Sequence, residues 1–89
     1  MTMPYAERRL CAAVVQRAVA DARNGETDAI AWLASRQAEQ WLDILDMSQS
    51  SLLLKSGWLD WAAVALKGSL SPDQRATIEH TLSYLADLN

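Results

Sequence analysis

At 89 residues the chain has room for one small helical domain, spanning residues 1–89, and none for a second core. With 51% apolar and 21% charged residues it is far from the composition of a disordered chain, and four Trp, no Phe and few β-branched residues favour helix over strand. A net charge of −3 repels a polyanion on average, which weighs against a nucleic-acid reader, and the lone Cys11 excludes an intramolecular disulfide.

The opening stretch MTMPYAERRL has no apolar leader, and no run approaches 18 consecutive apolar residues, so a cytoplasmic protein without a membrane span is expected. A first helix is predicted from Pro4 or Tyr5 to the Asn24-Gly25 stop. Leu10, Val14, Ala18 and Ala22 form its inward stripe, widened by Cys11, Val15 and Val19. Arg17 stands one turn before Asp21, a spacing that suits an ion pair. Arg8, Arg9, Arg17 and Arg23 outnumber the acids Glu7 and Asp21 on this helix; such charges make either a solvated face or a contact for phosphate or an acidic protein.

Thr27 is the predicted cap of a short second helix over 28–35, whose Ile30, Trp32, Leu33 and Ala34 are too apolar to remain in water. A third helix over 37–46 follows from Trp41, Leu42 and Leu45 at three- and four-residue spacing, and Ser48 caps a fourth over 49–56 that ends at Gly57. Residues 58–67 read as a helix that is apolar nearly all round, with Asp60 and Lys67 its only charges and Gly68 its stop. Ser71-Pro72-Asp73-Gln74 joins an N-cap, a first-position proline and a capping-box glutamine, and so starts the last helix, whose inward face is Ile78, Leu82 and Leu85. The expected fold is all-α, a compact bundle of about five helices.

Residues 37–56 have the form of a helix-turn-helix unit. Leu45, Met47 and Leu52 would fill its corner, and Ser48, Gln49, Ser50 and Ser51 would open the reading helix. The usual small residue is replaced by Leu42 and the usual glycine by Asp46. Consecutive Leu52, Leu53 and Leu54 fan over about 200° of helix surface, so they cannot all face one core. A DNA-binding regulator would use Ser48, Gln49, Ser50, Ser51 and Lys55, with Arg8 and Arg9 on the backbone. A helix with outward leucines, one lysine and no arginine is better suited to a protein partner, for which Leu53, Leu54, Trp58 and Trp61 are the candidate contacts.

The segments AVVQRAVAD, at 13–21, and AIAWLAS, at 29–35, followed by the turn at 41–52, resemble small helical proteins encoded by bacteriophages and integrated elements. The resemblance covers about residues 6–56 and leaves the C-terminal third outside. It implies a mobile-element accessory factor, a regulator or an inhibitor of a host complex.

No enzyme is expected. The serines of MSQSS have no histidine near them in sequence, His80 has no second His or Cys at ligand spacing, and there is no Gly-rich phosphate loop. Cys11 reads as a small core filler and His80 as a surface residue. No metal or cofactor is expected. The expectation is thus a non-enzymatic protein that binds a host protein or a second copy of itself as a homodimer, with a transcriptional regulator as the alternative.

Overall fold

A computed structural model describes residues 5–88, which form six helices and no strand. These are α1 (Tyr5–Arg23), α2 (Thr27–Leu33), α3 (Arg36–Ile44), α4 (Gln49–Ser56), α5 (Trp58–Leu66) and α6 (Pro72–Asp87). The domain measures 41 × 26 × 21 Å. Pro4, one of the two expected starts of the first helix, lies outside the described residues. Each predicted break separates two helices, six in all for a bundle put at about five, and Gly57, with φ at 99°, both ends α4 and opens α5.

Local chemistry explains the breaks. After α1, Gly25 takes the left-handed conformation at φ 91°, and the Glu26 and Gly25 amides donate to the Asp21 and Ala22 carbonyls, the two bonds of a Schellman stop. Ser35, expected to end the second helix, instead starts the third. Its hydroxyl accepts from the Ala38 amide at 3.2 Å and donates to the Trp32 carbonyl at 2.6 Å. Helix α2 starts one residue earlier than predicted, with Thr27 inside the first turn and Glu26 at the cap without a side-chain bond. Ser71 and Gln74 close the full capping box of α6.

Helix α5 lies at the centre, packed against α1, α2, α4 and α6. Its Trp58, Ala62 and Ala65, at i, i+4 and i+7, are buried, and the two alanines let neighbouring helices approach closely. Leu59, Trp61 and Leu66 pack against the same core, which also holds Ile30, Leu33, Leu53, Ile78 and Leu85. Of the large apolar residues of this helix only Val64 is mostly exposed, at 68%.

Two inward faces also differ from the prediction. In α1 the buried residues are Cys11, Val15 and Ala22, and Leu10 is 64% exposed, so the stripe is rotated by about one residue. In α6 Thr81 is buried together with Ile78 and Leu85, its hydroxyl directed to the Ala34 carbonyl at 3.4 Å, and Leu82 packs at the edge of the core.

The fully buried Trp58 indole donates from Nε1 to the Ile30 carbonyl at 2.9 Å. Trp58→Phe keeps most of the packing and leaves that carbonyl without its donor, so urea unfolding should show a loss of about 1–3 kcal/mol. Trp58→Ala adds a cavity and should cost about 3–5 kcal/mol in the same measurement.

Candidate functional site

A mainly apolar hollow lies where α1 passes the α3–α4 connection. Ala12, Val15, Gln16 and Val19 recur along α1 at three- and four-residue spacing and form one wall of a trough of about 290 Å³. Leu45, Met47 and Leu52 form the other wall, from the turn and the first turn of α4. A second hollow continues from Met47 and Leu52 along the outer side of α4, past Ser48, Ser51 and Ser56 to Lys55. Lys55 is the only charged residue lining either hollow.

The turn that shapes this trough is built like the one after α1. Met47 donates its amide to the Leu42 carbonyl at 2.9 Å and Asp46 donates to the Asp43 carbonyl at 3.0 Å. Asp46 fills the position where Gly25 stands in the other turn, at φ 57°. Its carboxylate meets Arg8 at 3.6 Å across the end of α1, an exposed pair of little energetic weight. Ser48 caps α4 by accepting from the Ser51 amide at 3.3 Å.

Helix α4 divides the proposed reading residues between its two sides. Ser48, Ser51 and Lys55 are exposed beside the trough, whereas Gln49 and Ser50 face a separate cleft toward α6. Gln49 is engaged inside the fold: its Nε2 donates to the Leu33 and Ser35 carbonyls, both at 2.9 Å. As a base-reading side chain Gln49 is therefore corrected to a structural clamp. Arg8 is paired with Asp46, and Arg9 is exposed on α1.

The protein-contact candidates are corrected in part. Leu53 is 1% exposed and Trp58 is fully buried, because α4 and α5 pack on each other and both residues belong to the core. Trp61 is half-buried beside Ala22 and Ile30, and Leu54 is 39% exposed on α4. The trough residues of α1 were not singled out as contacts. Their signal was an apolar stripe on α1 wider than the core requires.

Cys11 is buried, free and among apolar neighbours, and His80 is exposed. Arg17 and Asp21 form the pair expected from their spacing, at 3.2 Å. Among the described residues no group of three or more His, Cys, Asp or Glu is placed to hold a metal ion, and no helix is long and apolar enough to cross a membrane. In comparison with known proteins the chain matches no family model, no curated protein and no solved structure.

Two substitutions separate the roles in this region. Asp46→Gly relieves a left-handed residue that has a Cβ and should raise stability by about 1 kcal/mol, read as a higher urea midpoint. Gln49→Ala removes donors from two carbonyls and should cost about 1–2 kcal/mol. The exposed control Ser51→Ala should stay within about 0.5 kcal/mol.

Proposed function

We propose that the chain is a non-enzymatic interaction protein that seats an amphipathic helix of another protein in the trough between α1 and the α3–α4 turn. The observation that carries this reading is the lining of the trough, which is apolar on both walls apart from Gln16 and reaches a single cation, Lys55, at one end. Helix-in-groove recognition uses such a surface: apolar anchors at i, i+3 or i+4 and i+7 of the partner enter the groove, and charges at the rim set the register. From Ala12 to Val19 the α1 wall extends about 10 Å, at 1.5 Å per residue, enough for two turns of a partner helix. Among the described residues Lys55 takes part in none of the three ion pairs, so a partner helix with an acid at that end is complementary.

The resemblance to proteins of bacteriophages and integrated elements supports an accessory role, in which this cytoplasmic domain regulates or inhibits a host complex by occupying one of its helices. A DNA-reading role draws support from the left-handed turn at Asp46 and the Ser48 cap. Against it stand the engagement of Gln49 within the fold and the single lysine on the outer side of α4. Phosphate contacts dominate the affinity of DNA-binding domains, and one lysine on an acidic protein supplies little of it.

The test is photo-crosslinking in the producing cell, with a photoreactive side chain at Gln16 in the trough and a control at the exposed Asp87. A protein adduct is expected at Gln16 alone, mapping to a helical segment of the partner and lost in Leu52→Asp. Adducts of equal yield at both positions would overturn the reading. So would affinity for a labelled DNA duplex that falls steeply between two salt concentrations. An adduct between two copies of this chain, with a mass that rises with concentration in sedimentation, would replace the foreign partner by a homodimer.

A further inference from the structure

Although α5 lies at the centre of the domain, one side of it reaches the surface. Asp60, Ala63, Val64 and Lys67 are all exposed, whereas Trp58, Ala62 and Ala65 on the opposite side are buried. The four exposed residues stand at i, i+3, i+4 and i+7, the spacing of a single helix face. At about 100° per residue, Asp60 and Lys67 fall nearly on one line along the helix, and Ala63 and Val64 lie about 50° to either side of it. Lys67 caps α5 in right-handed helical conformation, with φ −80° and ψ −15°, so the strip keeps its register to its last residue.

The order of charges along this strip makes it complementary to itself. Its acid stands at the N-terminal end and its base at the C-terminal end, and among the described residues neither takes part in the three ion pairs. When a second copy of the strip is laid on it antiparallel, each Asp60 meets the Lys67 of the other copy, and both pairs form at once. The midpoint falls between Ala63 and Val64, about 3.5 residues or 5 Å from either charge at 1.5 Å per residue. In the parallel arrangement acid would face acid and base would face base, so the charges select one direction. A twofold axis through the midpoint brings the two Val64 side chains together on one flank and the two Ala63 side chains together on the other. On that second flank the small side chain lets the helices approach closely, and on the first an apolar residue that is 68% exposed loses its contact with water.

We infer that the outer strip of α5 pairs two copies of this chain antiparallel about a twofold axis, with Val64 at the centre and reciprocal Asp60–Lys67 bonds at both ends. The same patch serves both copies, so the assembly closes at two. The strip is only about 10 Å long, which makes the contact small and its occupancy dependent on concentration. No residue of α5 lines the trough, so each copy in the pair keeps its trough open, and the pairing does not rest on the function proposed for it.

The experiment is sedimentation of the full chain at rising concentration, with charge reversals at the two ends of the strip. The unmodified chain should pass from one copy to two and no further. Asp60→Lys and Lys67→Asp, made singly, should each weaken pairing at least about tenfold, because two attractive contacts become repulsive together. The two substitutions combined should restore it. The single reversals move the net charge in opposite directions, so a general effect of charge would strengthen pairing in one and weaken it in the other. A photoreactive side chain at Ala63 should join two copies through α5, and one at Asp87 should not. A single copy at every concentration up to about 1 mM would overturn the inference. So would pairing that survives both single reversals, or a folded double variant that pairs no better than the single ones. Copies joined through Gln16 with none joined through Ala63 would also overturn it. The adduct of Gln16 with a foreign protein is scored separately and should persist in the single reversals.

Discussion

The C-terminal end of α2 is the point on which the rest of the structure depends. A helix leaves its last four carbonyls without regular partners, and α2 has only seven residues, so more than half of its backbone acceptors are in this position. They are satisfied from outside the helix. The Ala34 amide serves Ala31, Ser35 serves Trp32, the Trp58 indole serves Ile30 and the Gln49 amide serves Leu33. Thr81 adds a bond to Ala34 just beyond. Donors from α4, α5 and α6 thus converge on one short stretch of chain. Since a buried acceptor left bare costs about 1–3 kcal/mol, these bonds select one arrangement of helices more strongly than apolar burial alone.

That convergence also explains how so apolar a helix as α5 fits inside a domain of this size. Trp58 reaches across the core to Ile30, which draws α5 into the middle, and Ala62 and Ala65 then leave room for α1 and α6 on either side. The Arg75 guanidinium reaches the Leu66 and Gly68 carbonyls at the end of α5, and Gln74 meets Asp28 at the start of α2. Helix α6 is therefore held at its first turns as well as by Ile78 and Leu85. The large apolar residues left at the surface are spread over the helices, from Leu10 on α1 and Met47 in the α3–α4 turn to Leu54, Val64 and Tyr84 on α4, α5 and α6.

What could be read from residues alone was the punctuation of the chain. Gly25, Ser48, Gly57 and the Ser71-Pro72-Asp73-Gln74 start act through bonds within a few residues of themselves, and each stands at a helix boundary. Faces were legible only in part. Leu10 and Cys11 are adjacent apolar residues, and which of them turns inward depends on where α3 lies, a fact that no spacing within α1 contains. The same holds for Trp58, whose indole is bonded to Ile30 of α2, 28 positions away in sequence, and for Leu53, which is buried in the same core. The trough showed as an excess of apolar residues on α1.

Helix α4 concentrates these effects in eight residues. Its sequence, QSSLLLKS, looks like a polar reading surface followed by a surplus of leucine. In the fold each part has a different use. Gln49 and Leu53 turn inward and fix the helix to α2 and the core, Leu52 closes the trough against α1, and Ser48, Ser51 and Lys55 remain at the surface. A helix that reads DNA must present its first turn outward as one continuous surface, free of obligations to the scaffold. Here the first side chain of the element is bound to the carbonyls of Leu33, at the end of α2, and Ser35, the cap of α3, and the adjoining surface is apolar and nearly uncharged. Such an allocation is compatible with recognition by shape and burial, where a rigid wall improves the fit, and poorly compatible with recognition that depends on phosphate charge.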